Sequence, residues 1–358
     1  MDTDKSSNQS KIVFVGLSGG VDSSVAALRL KNQGCTVVGV FIKVWQPDWL
    51  QCNWEQERLD AMRVAAHLEI PFLTCDAEAA YKKEVGEYFI AEYEAGRTPN
   101  PDVLCNQHVK FGAFLAFAKE RGADFVATGH YAQNIATEDG FSLRRGIDTN
   151  KDQSYFLWTL TQAQLQHILL PVGDTEKADI RKEAEAAGIP VAEKKDSQGV
   201  CFLGQIDIKT FMEEESTITP GNVLNEVGDV VGAHNGALIY TIGQRHGFSL
   251  HTHEEVTKPH FVIAKDMAAN TITVAENPLE MTSGNSISLT QTNWIPKAPE
   301  FDSSIEVQFR YRQTPLQAHF TQTGITLKEA AESPAIGQSC VLYQGDVCLG
   351  GGNIEVIS

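Results

Sequence analysis

KIVFVGLSGGVDSS, residues 11–24, is the stretch that decides the first domain of the fold. Its apolar, β-branched run at 11–17 predicts a buried strand. A helical pattern from Ser23 to about Gln33 follows a loop of glycine and serine, and a second strand-like run, TVVGVFI, occupies 36–42. This order predicts a strand–turn–helix–strand unit of a parallel sheet.

Alternation of predicted helices and strands continues to about residue 213. Helices are predicted around 55–68, 78–95, 106–121, 161–168 and 176–187, with strands at 71–75 and 124–128. The alternation predicts an α/β fold with a doubly wound parallel sheet. From about residue 218, short strands punctuated by glycine predict two small β domains, the last of them a β-barrel. The predicted domains are 1–213, 214–282 and 283–358.

Composition excludes several classes of protein. The chain has 358 residues, enough for two or three domains, and its 29 Lys and Arg against 46 Asp and Glu give a formal charge of −17. A broad nucleic-acid coat or a binder of anionic membranes needs the opposite sign. The apolar runs are strand-sized and the first ten residues are polar, so we expect a cytoplasmic protein with no membrane partner. The seven cysteines are expected to be reduced thiols.

The loop from Ser18 to Ser24 has the chemistry of an anion site. Its glycines allow a tight turn and close approach of a ligand, while the free N–H groups and the dipole of the following helix favour an anion. Asp22 would repel a phosphate unless it caps the helix or binds Mg²⁺. An ordinary glycine-rich turn remains the alternative on loop chemistry alone.

S-G-G-x-D-S after an N-terminal strand resembles the pyrophosphate loop of the N-type ATP pyrophosphatases, which split ATP into AMP and pyrophosphate to adenylate a substrate. The resemblance implies ATP as cofactor, with Mg²⁺ accompanying it transiently. It also implies a set of ATP-contacting residues. They are Gly16, Leu17, Ser18, Gly19, Gly20, Val21, Asp22 and Ser23, the backbone of Ile42 where the family usually has Met, and Gly129 after the fourth strand.

Six further segments resemble signatures of the bacterial tRNA-specific 2-thiouridylases, the MnmA family, and span nearly the whole chain. They are NPDVLCN at 100–106, ATGHYA at 127–132, KDQSYFL at 151–157, DSQGVCFLG at 196–204, YTIGQR at 240–245 and CLGGG at 348–352. The resemblance implies ATP-dependent 2-thiolation of the wobble uridine of tRNA. The uracil C2 oxygen would be adenylated and then replaced by sulfur from a cysteine persulfide, with release of AMP and pyrophosphate.

Two of the seven cysteines are singled out by this resemblance. Cys201 would carry the persulfide, and Cys105 would be the second catalytic cysteine, able to close a disulfide that a reductant then opens. The sulfur donor would be a cysteine desulfurase or a sulfur-relay protein. The other cysteines in apolar runs are expected to be buried small hydrophobes. They are Cys35, Cys75, Cys340 and Cys348.

Cys105 is expected just before the helix at 106–121, where the dipole and free N–H groups lower the pKa of a thiol. Cys105-x-x-His108 lacks a second pair at useful spacing, so no resident metal is predicted.

The resemblance also implies tRNA-contacting residues. Asn100, Pro101 and Asp102 match the segment that receives the flipped uridine, whose edge an amide and a carboxylate can read. The remaining contacts implied are His130, Lys151, Asp152, Gln153, Tyr311, Arg312 and Gln338. In an acidic chain, cationic contacts should be few and local. The candidate islands are Arg144-Arg145, Lys151, the cations of 177–195 and Arg310-x-Arg312.

Two rival functions stay open at this point. An amide-forming ATP pyrophosphatase would need an ammonia source, and no glutaminase-like domain is visible in the sequence. A catalytically silent RNA-binding or scaffold protein would cleave no ATP and would need neither Cys105 nor Cys201.

Overall fold

The computed structural model describes residues 10–50, 54–195, 208–251, 258–295 and 297–358. Its described residues fall into two compact units. The first comprises Met1–Lys82 with Cys105–Gln198, and the second comprises Lys83–Leu104 with Gly199–Ser358. The sequence-based boundaries at 213 and 282 stay predictions.

The first unit is built on a parallel sheet of β1 (Ile12–Gly16), β2 (Thr36–Lys43), β3 (Phe72–Asp76), β4 (Phe125–Ala127) and β7 (Ile168–Leu169). The strand order is β3-β2-β1-β4-β7. A hairpin of β5 (Ala132–Thr137) and β6 (Gly140–Arg145) follows β4. The direction in which the chain adds strands reverses at β1, whose two neighbours are β2 and β4. Open α/β sheets bind ligands at such a reversal, outside the carboxyl ends of the strands.

Helices connect these strands and continue into the second unit. Their bounds are α1 Val21–Asn32, α2 Trp54–His67, α3 Glu78–Tyr81, α4 Tyr88–Glu94, α5 Pro101–Leu104, α6 Phe114–Glu120, α7 Gln162–Leu165, α8 Lys177–Ala186 and α9 Ile208–Glu215. Among the residues that the structure describes, Lys82–Glu87 and Cys105–Ala113 are π-helical, and Ser154–Leu157 and Ala237–Ile239 are 3-10 helices.

Two sequence-based helix bounds were wrong. The helix predicted at 161–168 ends at Leu165, because Ile168 and Leu169 form β7 and pair with β4. The helix predicted to begin at 106 begins at Pro101, whose fixed φ and missing N–H suit the first helical position.

The core of the first unit fills the space between the sheet and its helices. Val13 and Val15 are two residues apart on β1, so their side chains point to the same face of the sheet. Both belong to the buried cluster that contains Val25 of α1 and Ile180 of α8. Arg29 of α1 donates to the Glu183 carboxylate of α8, at 2.6 Å from its Nη2. The segment 18–24, named the nucleotide loop here for the resemblance described above, therefore lies between a strand and a helix that are both held by buried contacts.

The second unit contains two β domains. The first sheet contains β8 (Gly221–Leu224), β9 (Val230–His234), β10 (Phe248–Leu250), β11 (Phe261–Asp266) and β12 (Thr271–Ala275), in the order β10-β9-β8-β12-β11. Two short strands, β13 (Glu280–Met281) and β18 (Ala331–Glu332), pair with each other.

The last domain is a closed six-stranded barrel. Its strands are β14 (Ser286–Trp294), β15 (Ser304–Gln308), β16 (Leu316–Phe320), β17 (Gly324–Leu327), β19 (Ser339–Gln344) and β20 (Val347–Ile357). They pair in the order β14-β17-β16-β15-β19-β20, and β14 pairs with β20 to close the ring. The predicted fold class, a parallel α/β sheet followed by two small β domains, is confirmed. Within the described ranges, no helix is long and apolar enough to cross a membrane.

Candidate active site

The nucleotide loop lies between β1 and α1 and presents an uncapped helix start. The N-cap position is Gly20, and no side chain of the described residues caps this end. The hydroxyls of Ser23 and Ser24 donate instead to the carbonyl of Gly20, at 3.3 and 2.7 Å. The first-turn N–H groups of α1 are therefore available to an anion, as the sequence predicts.

Two positions of the predicted ATP site require glycine, because neighbouring backbone atoms leave no room for a Cβ. Gly19 has φ +70°, and a Cβ there would lie 2.6 Å from the carbonyl oxygen of Glu57. A Cβ on Gly129 would lie 2.6 Å from the backbone nitrogen of Ser23. The turn after β4 thus rests directly on the start of α1, at the edge of the sheet where the strand order reverses.

The other predicted ATP residues line the strand ends below this loop. A Cβ on Gly16 would lie 3.5 Å from Cδ1 of Ile42, so these two residues are neighbours on β1 and β2. Leu17 and Val21 are buried and support the loop from the core side. The structure therefore brings the sequence-predicted ATP residues of the first unit together.

The charge of Asp22 is compensated by Lys177, and its carboxylate also accepts a hydrogen bond from Tyr131; the sequence predicted neither contact. Nζ of Lys177 lies 2.7 and 2.9 Å from its carboxylate oxygens, and the Tyr131 hydroxyl donates to Oδ1 at 2.7 Å. Lys177 and Tyr131 are buried. An acid in a phosphate loop requires a compensating charge, and that requirement is the only sequence signal for this pair. The carboxylate does not cap the helix, which excludes one of the two roles considered for it.

Lys194 makes a second ion pair beside the same loop. Its Nζ lies 2.8 Å from Oδ2 of Asp60 and donates to the carbonyl of Gly19 at 3.1 Å. Lys177 and Lys194 both belong to the 177–195 segment, a predicted cationic island for RNA. In the structure these two lysines are paired with Asp22 and Asp60, and their contact with RNA stays a prediction.

Cys105 lies inside a helix rather than before one. It directly follows Leu104 at the end of α5 and begins the π-helical stretch. Cys105 is buried, with 2% of its surface exposed. The free N–H groups of the helix start belong to the turn that begins at Pro101, so the predicted position of Cys105 just before a helix was wrong. Asn106, also buried, donates its amide to the carbonyl of Phe156 at 3.2 Å.

Of the four cysteines predicted to be buried, Cys75, Cys340 and Cys348 are buried, and the prediction was wrong for Cys35. Burial raises the pKa of the Cys75 thiol to about 11 and raises that of Cys340 further, so both stay protonated at neutral pH. Cys348 is also buried, whereas Cys35 is partly exposed. Cys201, the predicted persulfide carrier, lies outside the described residues.

The segment predicted to receive the uridine lies in the second unit. Asn100 accepts the N–H of Val103 on its side-chain oxygen at 3.3 Å, as an N-cap residue does, and Pro101 is buried at the first helical position. Asp102 is partly buried in the same turn. Two residues earlier, the N–H of Thr98 donates to the carbonyl of Ile336 at 2.8 Å. This pairing brings the Asn100 segment close to the chain around Gln338.

The other residues predicted to contact tRNA in this unit lie in two connections of the barrel, Tyr311 and Arg312 between β15 and β16, and Gln338 before β19. The guanidinium carbon of Arg312 lies 5.0 Å from the ring centroid of Tyr311, and Arg312 has φ +61°. Gln338 accepts the N–H of Ala335 on its side chain at 3.3 Å and precedes β19. Their contacts with tRNA stay predictions.

Lys151, Asp152 and Gln153 form one ordered loop in the first unit. Asp152 accepts hydrogen bonds from the backbone of Gly146 and Ser154, both at 3.0 Å, and pairs with Arg145 at 3.1 Å. Its carboxylate therefore builds the loop. One arginine of the Arg144-Arg145 island is engaged in this pair.

His130 is buried beside the turn that holds Gly129. Its Nδ1 lies 2.7 Å from the Thr128 hydroxyl, and its ring centroid is 5.8 Å from that of Phe111. Burial, with a smaller contribution from the charge of Lys110, holds the pKa of this imidazole well below its usual value. The ring is therefore neutral in the fold. Its predicted contact with tRNA stays a prediction.

Acidification is expected to destabilise the protein through His130. The unfolded chain takes up a proton near pH 6.5 and the folded chain does not, so the free energy of unfolding falls as the pH drops below about 6.5, by up to ~1.4 kcal/mol per pH unit. Urea unfolding at pH 7.5 and 5.5 should show a smaller loss for His130→Gln than for the wild type. His246→Gln, at an exposed histidine, is the control. An unchanged pH dependence in His130→Gln would contradict the assignment.

Among the described ranges, no group of three or more His, Cys, Asp or Glu side chains could hold a metal ion. At the nucleotide loop the Asp22 carboxylate already faces Lys177 and Tyr131, and the Asp60 carboxylate already faces Lys194. The side chains present there fit an ion that arrives with a nucleotide better than a resident one, because the Asp22 and Asp60 carboxylates are each already paired with a lysine.

Family comparisons cover nearly the whole chain. Residues 11–205 match the family described as tRNA methyl transferase HUP domain, 209–276 the tRNA methyl transferase PRC-barrel domain, and 285–354 the aminomethyltransferase beta-barrel domain. A curated relative from Enterococcus faecalis, named tRNA-specific 2-thiouridylase MnmA, is 43% identical over 97% of this chain and 96% of its own. The relative of the same name from Listeria monocytogenes strain EGD-e is 42% identical over 98% and 97%.

Solved structures resemble the chain more weakly. A 4-thiouridine synthetase–RNA complex with bound ATP has a TM-score of 0.36 at 18% identity, covering 57% of this chain and 49% of that one. NMN synthetase from Francisella tularensis has a TM-score of 0.35 at 19% identity, covering 59% and 74%. At these scores the likeness carries no functional argument. The sequence identities and their coverage do carry one, and the chain belongs to the tRNA-specific 2-thiouridylase family, MnmA.

Proposed function

We propose that this protein uses ATP and a cysteine persulfide to convert the wobble uridine of tRNA to 2-thiouridine. As a member of its family it is an enzyme that thiolates tRNA. The observation that carries the ATP-dependent part is the uncapped start of α1, with Asp22 neutralised beside it and Gly129 packed against it. An anion can approach that helix start without meeting a free carboxylate.

The first chemical step is adenylation of the uracil. The C2 oxygen attacks the α-phosphorus of ATP, a new O–P bond forms, the α–β phosphoanhydride bond breaks, and pyrophosphate leaves. The backbone N–H groups of α1 and the hydroxyl of Ser18, which lies 3.3 Å from that of Ser23, would hold the phosphates. Mg²⁺, when bound with ATP, would offset the phosphate charge. The step turns a poor leaving group, the C2 oxygen, into AMP.

The second step transfers sulfur. The terminal sulfur of a Cys201 persulfide attacks C2, and AMP leaves with the oxygen. The Cys105 thiolate then attacks Sγ of Cys201, breaks the S–S bond and leaves the sulfur on C2, forming a Cys105–Cys201 disulfide. A dithiol reductant restores both thiols. A cysteine desulfurase or a sulfur-relay protein must reload Cys201 for the next turnover.

The tRNA contacts proposed for the second unit are Asn100, Pro101, Asp102, Tyr311, Arg312 and Gln338, and those for the first are His130, Lys151, Asp152 and Gln153. With a formal charge of −17, the protein should recognise the shape of tRNA through a few cations and bind bulk RNA weakly. A cytoplasmic location fits this substrate.

A reconstituted reaction tests the proposal. Protein, ATP, Mg²⁺, a persulfide donor and unmodified tRNA with a wobble uridine are expected to yield 2-thiouridine, AMP and pyrophosphate in equal amounts. Nucleoside analysis by mass spectrometry measures the product. Absence of 2-thiouridine with a donor that loads the protein would refute the proposal.

Replacing Cys201 by serine separates the two steps. The variant is expected to form no 2-thiouridine while still releasing pyrophosphate on incubation with ATP and tRNA, because adenylation needs no thiol. Labelled pyrophosphate release and nucleoside analysis are measured on the same samples. Full thiolation by Cys201→Ser would show that the persulfide is carried elsewhere.

A further inference from the structure

The Asp22 carboxylate is the meeting point of two hydrogen-bonded connections from one loop. We define the Asp22 cluster as Asp22, Tyr131, Gln153, Asp148 and Lys177, all in the first unit. The loop at 148–153 contributes Asp148 and Gln153. Tyr131 and Lys177 are 2% and 8% exposed, so both contacts with Asp22 are sheltered from water.

The first connection runs through Tyr131. Its backbone N–H donates to Oε1 of Gln153 at 2.9 Å, and the N–H of Gln153 donates back to the Tyr131 carbonyl at 2.7 Å. This reciprocal pair fixes the backbone of Tyr131 to the loop. Its hydroxyl, at the other end of the side chain, donates to Asp22. A displacement of Gln153 therefore moves the tyrosine that holds the nucleotide loop.

The second connection runs through Lys177. Oδ2 of Asp148 accepts the backbone N–H of Lys177 at 3.0 Å, and Oδ1 accepts that of Asn150 at 3.0 Å. Asp148 is 6% exposed. It joins the turn before Lys151 to the first residue of α8, and the Lys177 ammonium reaches back to Asp22. Both connections thus begin in the same loop and end on the same carboxylate.

We infer that Tyr131 and Lys177 are positioning residues that couple occupancy of the 148–153 loop by tRNA to the affinity of the nucleotide loop for ATP. The inference rests on the proposed function, which assigns tRNA to Lys151–Gln153 and ATP to the α1 start. The direction of the coupling between tRNA and ATP binding follows from the charge of Asp22. A free Asp22 carboxylate repels a triphosphate, and tRNA contacts that hold the loop in place hold both partners on Asp22. Bound tRNA therefore tightens ATP, and ATP tightens tRNA by the same factor.

Binding measurements test the coupling without turnover. Isothermal titration with α,β-methylene-ATP, whose reactive bond is not cleaved, is carried out on the full chain with and without unmodified tRNA. In the wild type, tRNA should lower the Kd of the analogue by about fivefold or more. Tyr131→Phe, which removes only the hydroxyl, and Lys177→Met should each reduce this ratio to below about twofold.

Controls separate coupling from folding. Tyr93→Phe removes another buried tyrosine hydroxyl, whose partner is the Thr241 side chain, and should keep the wild-type ratio. If Lys177→Met fails to fold, Tyr131→Phe decides the outcome. The inference is overturned if tRNA does not lower the Kd of the analogue in the wild type, or if it lowers that Kd in Tyr131→Phe as much as in the wild type.

Parallel nucleoside analysis distinguishes the two proposals. Wild-type protein that forms 2-thiouridine but shows no effect of tRNA on the Kd of the analogue refutes the coupling alone. Wild-type protein that shows the effect but forms no 2-thiouridine refutes the proposed function alone.

Discussion

Replacement of Cys105 by serine is expected to lower the rate of 2-thiouridine formation by about 1,000-fold or more, because a serine hydroxyl forms no anion at neutral pH and closes no disulfide. The residue is buried, and the smaller oxygen fits the space of the sulfur. Pyrophosphate release with ATP and tRNA should persist. Single-turnover assays with persulfide-loaded protein measure the rate directly, and thermal unfolding checks that the variant is folded.

Cys75 supplies the matched control for this prediction. It is buried like Cys105, and burial raises the pKa of its thiol to about 11, so it is chemically inert at neutral pH. Cys75→Ser should retain the wild-type single-turnover rate. A Cys105→Ser protein that turns over at the wild-type rate would remove Cys105 from the mechanism, whereas an equal loss in Cys75→Ser would point to packing as the cause.

Gly19→Ala is expected to damage both the stability of the fold and the use of ATP. The position has φ +70°, and the added Cβ would lie 2.6 Å from the Glu57 carbonyl oxygen and 2.9 Å from Cβ of Asp60. Left-handed strain and overpacking together should reduce the free energy of unfolding by about 2–5 kcal/mol. A displaced nucleotide loop should lower kcat/KM for ATP by about 100-fold.

Gly122→Ala is the control that separates backbone strain from the steric contacts of an added Cβ. Gly122 has φ +81°, but a Cβ there would meet nothing within 4 Å. This control should lose only the left-handed strain, about 1–2 kcal/mol, and keep the wild-type kcat/KM for ATP. Urea unfolding and pyrophosphate-release kinetics compare the two variants. Equal kinetic parameters for Gly19→Ala and the wild type would show that the loop tolerates the displacement or does not bind ATP.

Local pattern accounts for what the sequence predicted well. The β-branched run before Gly19 and Gly20, and the change to short glycine-punctuated strands after residue 218, depend on neighbours a few residues apart. They predicted the parallel sheet, the position of the nucleotide loop and the two β domains. The start of the Cys105 helix was missed because Asn100 and Pro101 were interpreted as loop and substrate residues rather than as a cap and first turn.

Long-range pairing accounts for what the sequence missed. Lys177 is 155 positions from Asp22 and Tyr131 is 109, so no local spacing indicates that both hold its carboxylate. The same holds for Lys194, which pairs with Asp60 across 134 positions. Counting charges along the chain assigned these lysines to RNA, because a count records the sign of a charge and not its partner.

The sequence by itself determined the family, the fold class and the residue types of the nucleotide loop, because strand and helix periods, glycine positions and motif spacings are local properties of the chain. Only the tertiary structure decided that the Asp22 charge is neutralised, that Cys105 is buried inside a helix, and that the 148–153 loop is connected to the nucleotide loop. Burial and ion pairing depend on which distant segments pack together, and that is settled by the packing of the whole first unit rather than by any one stretch of it.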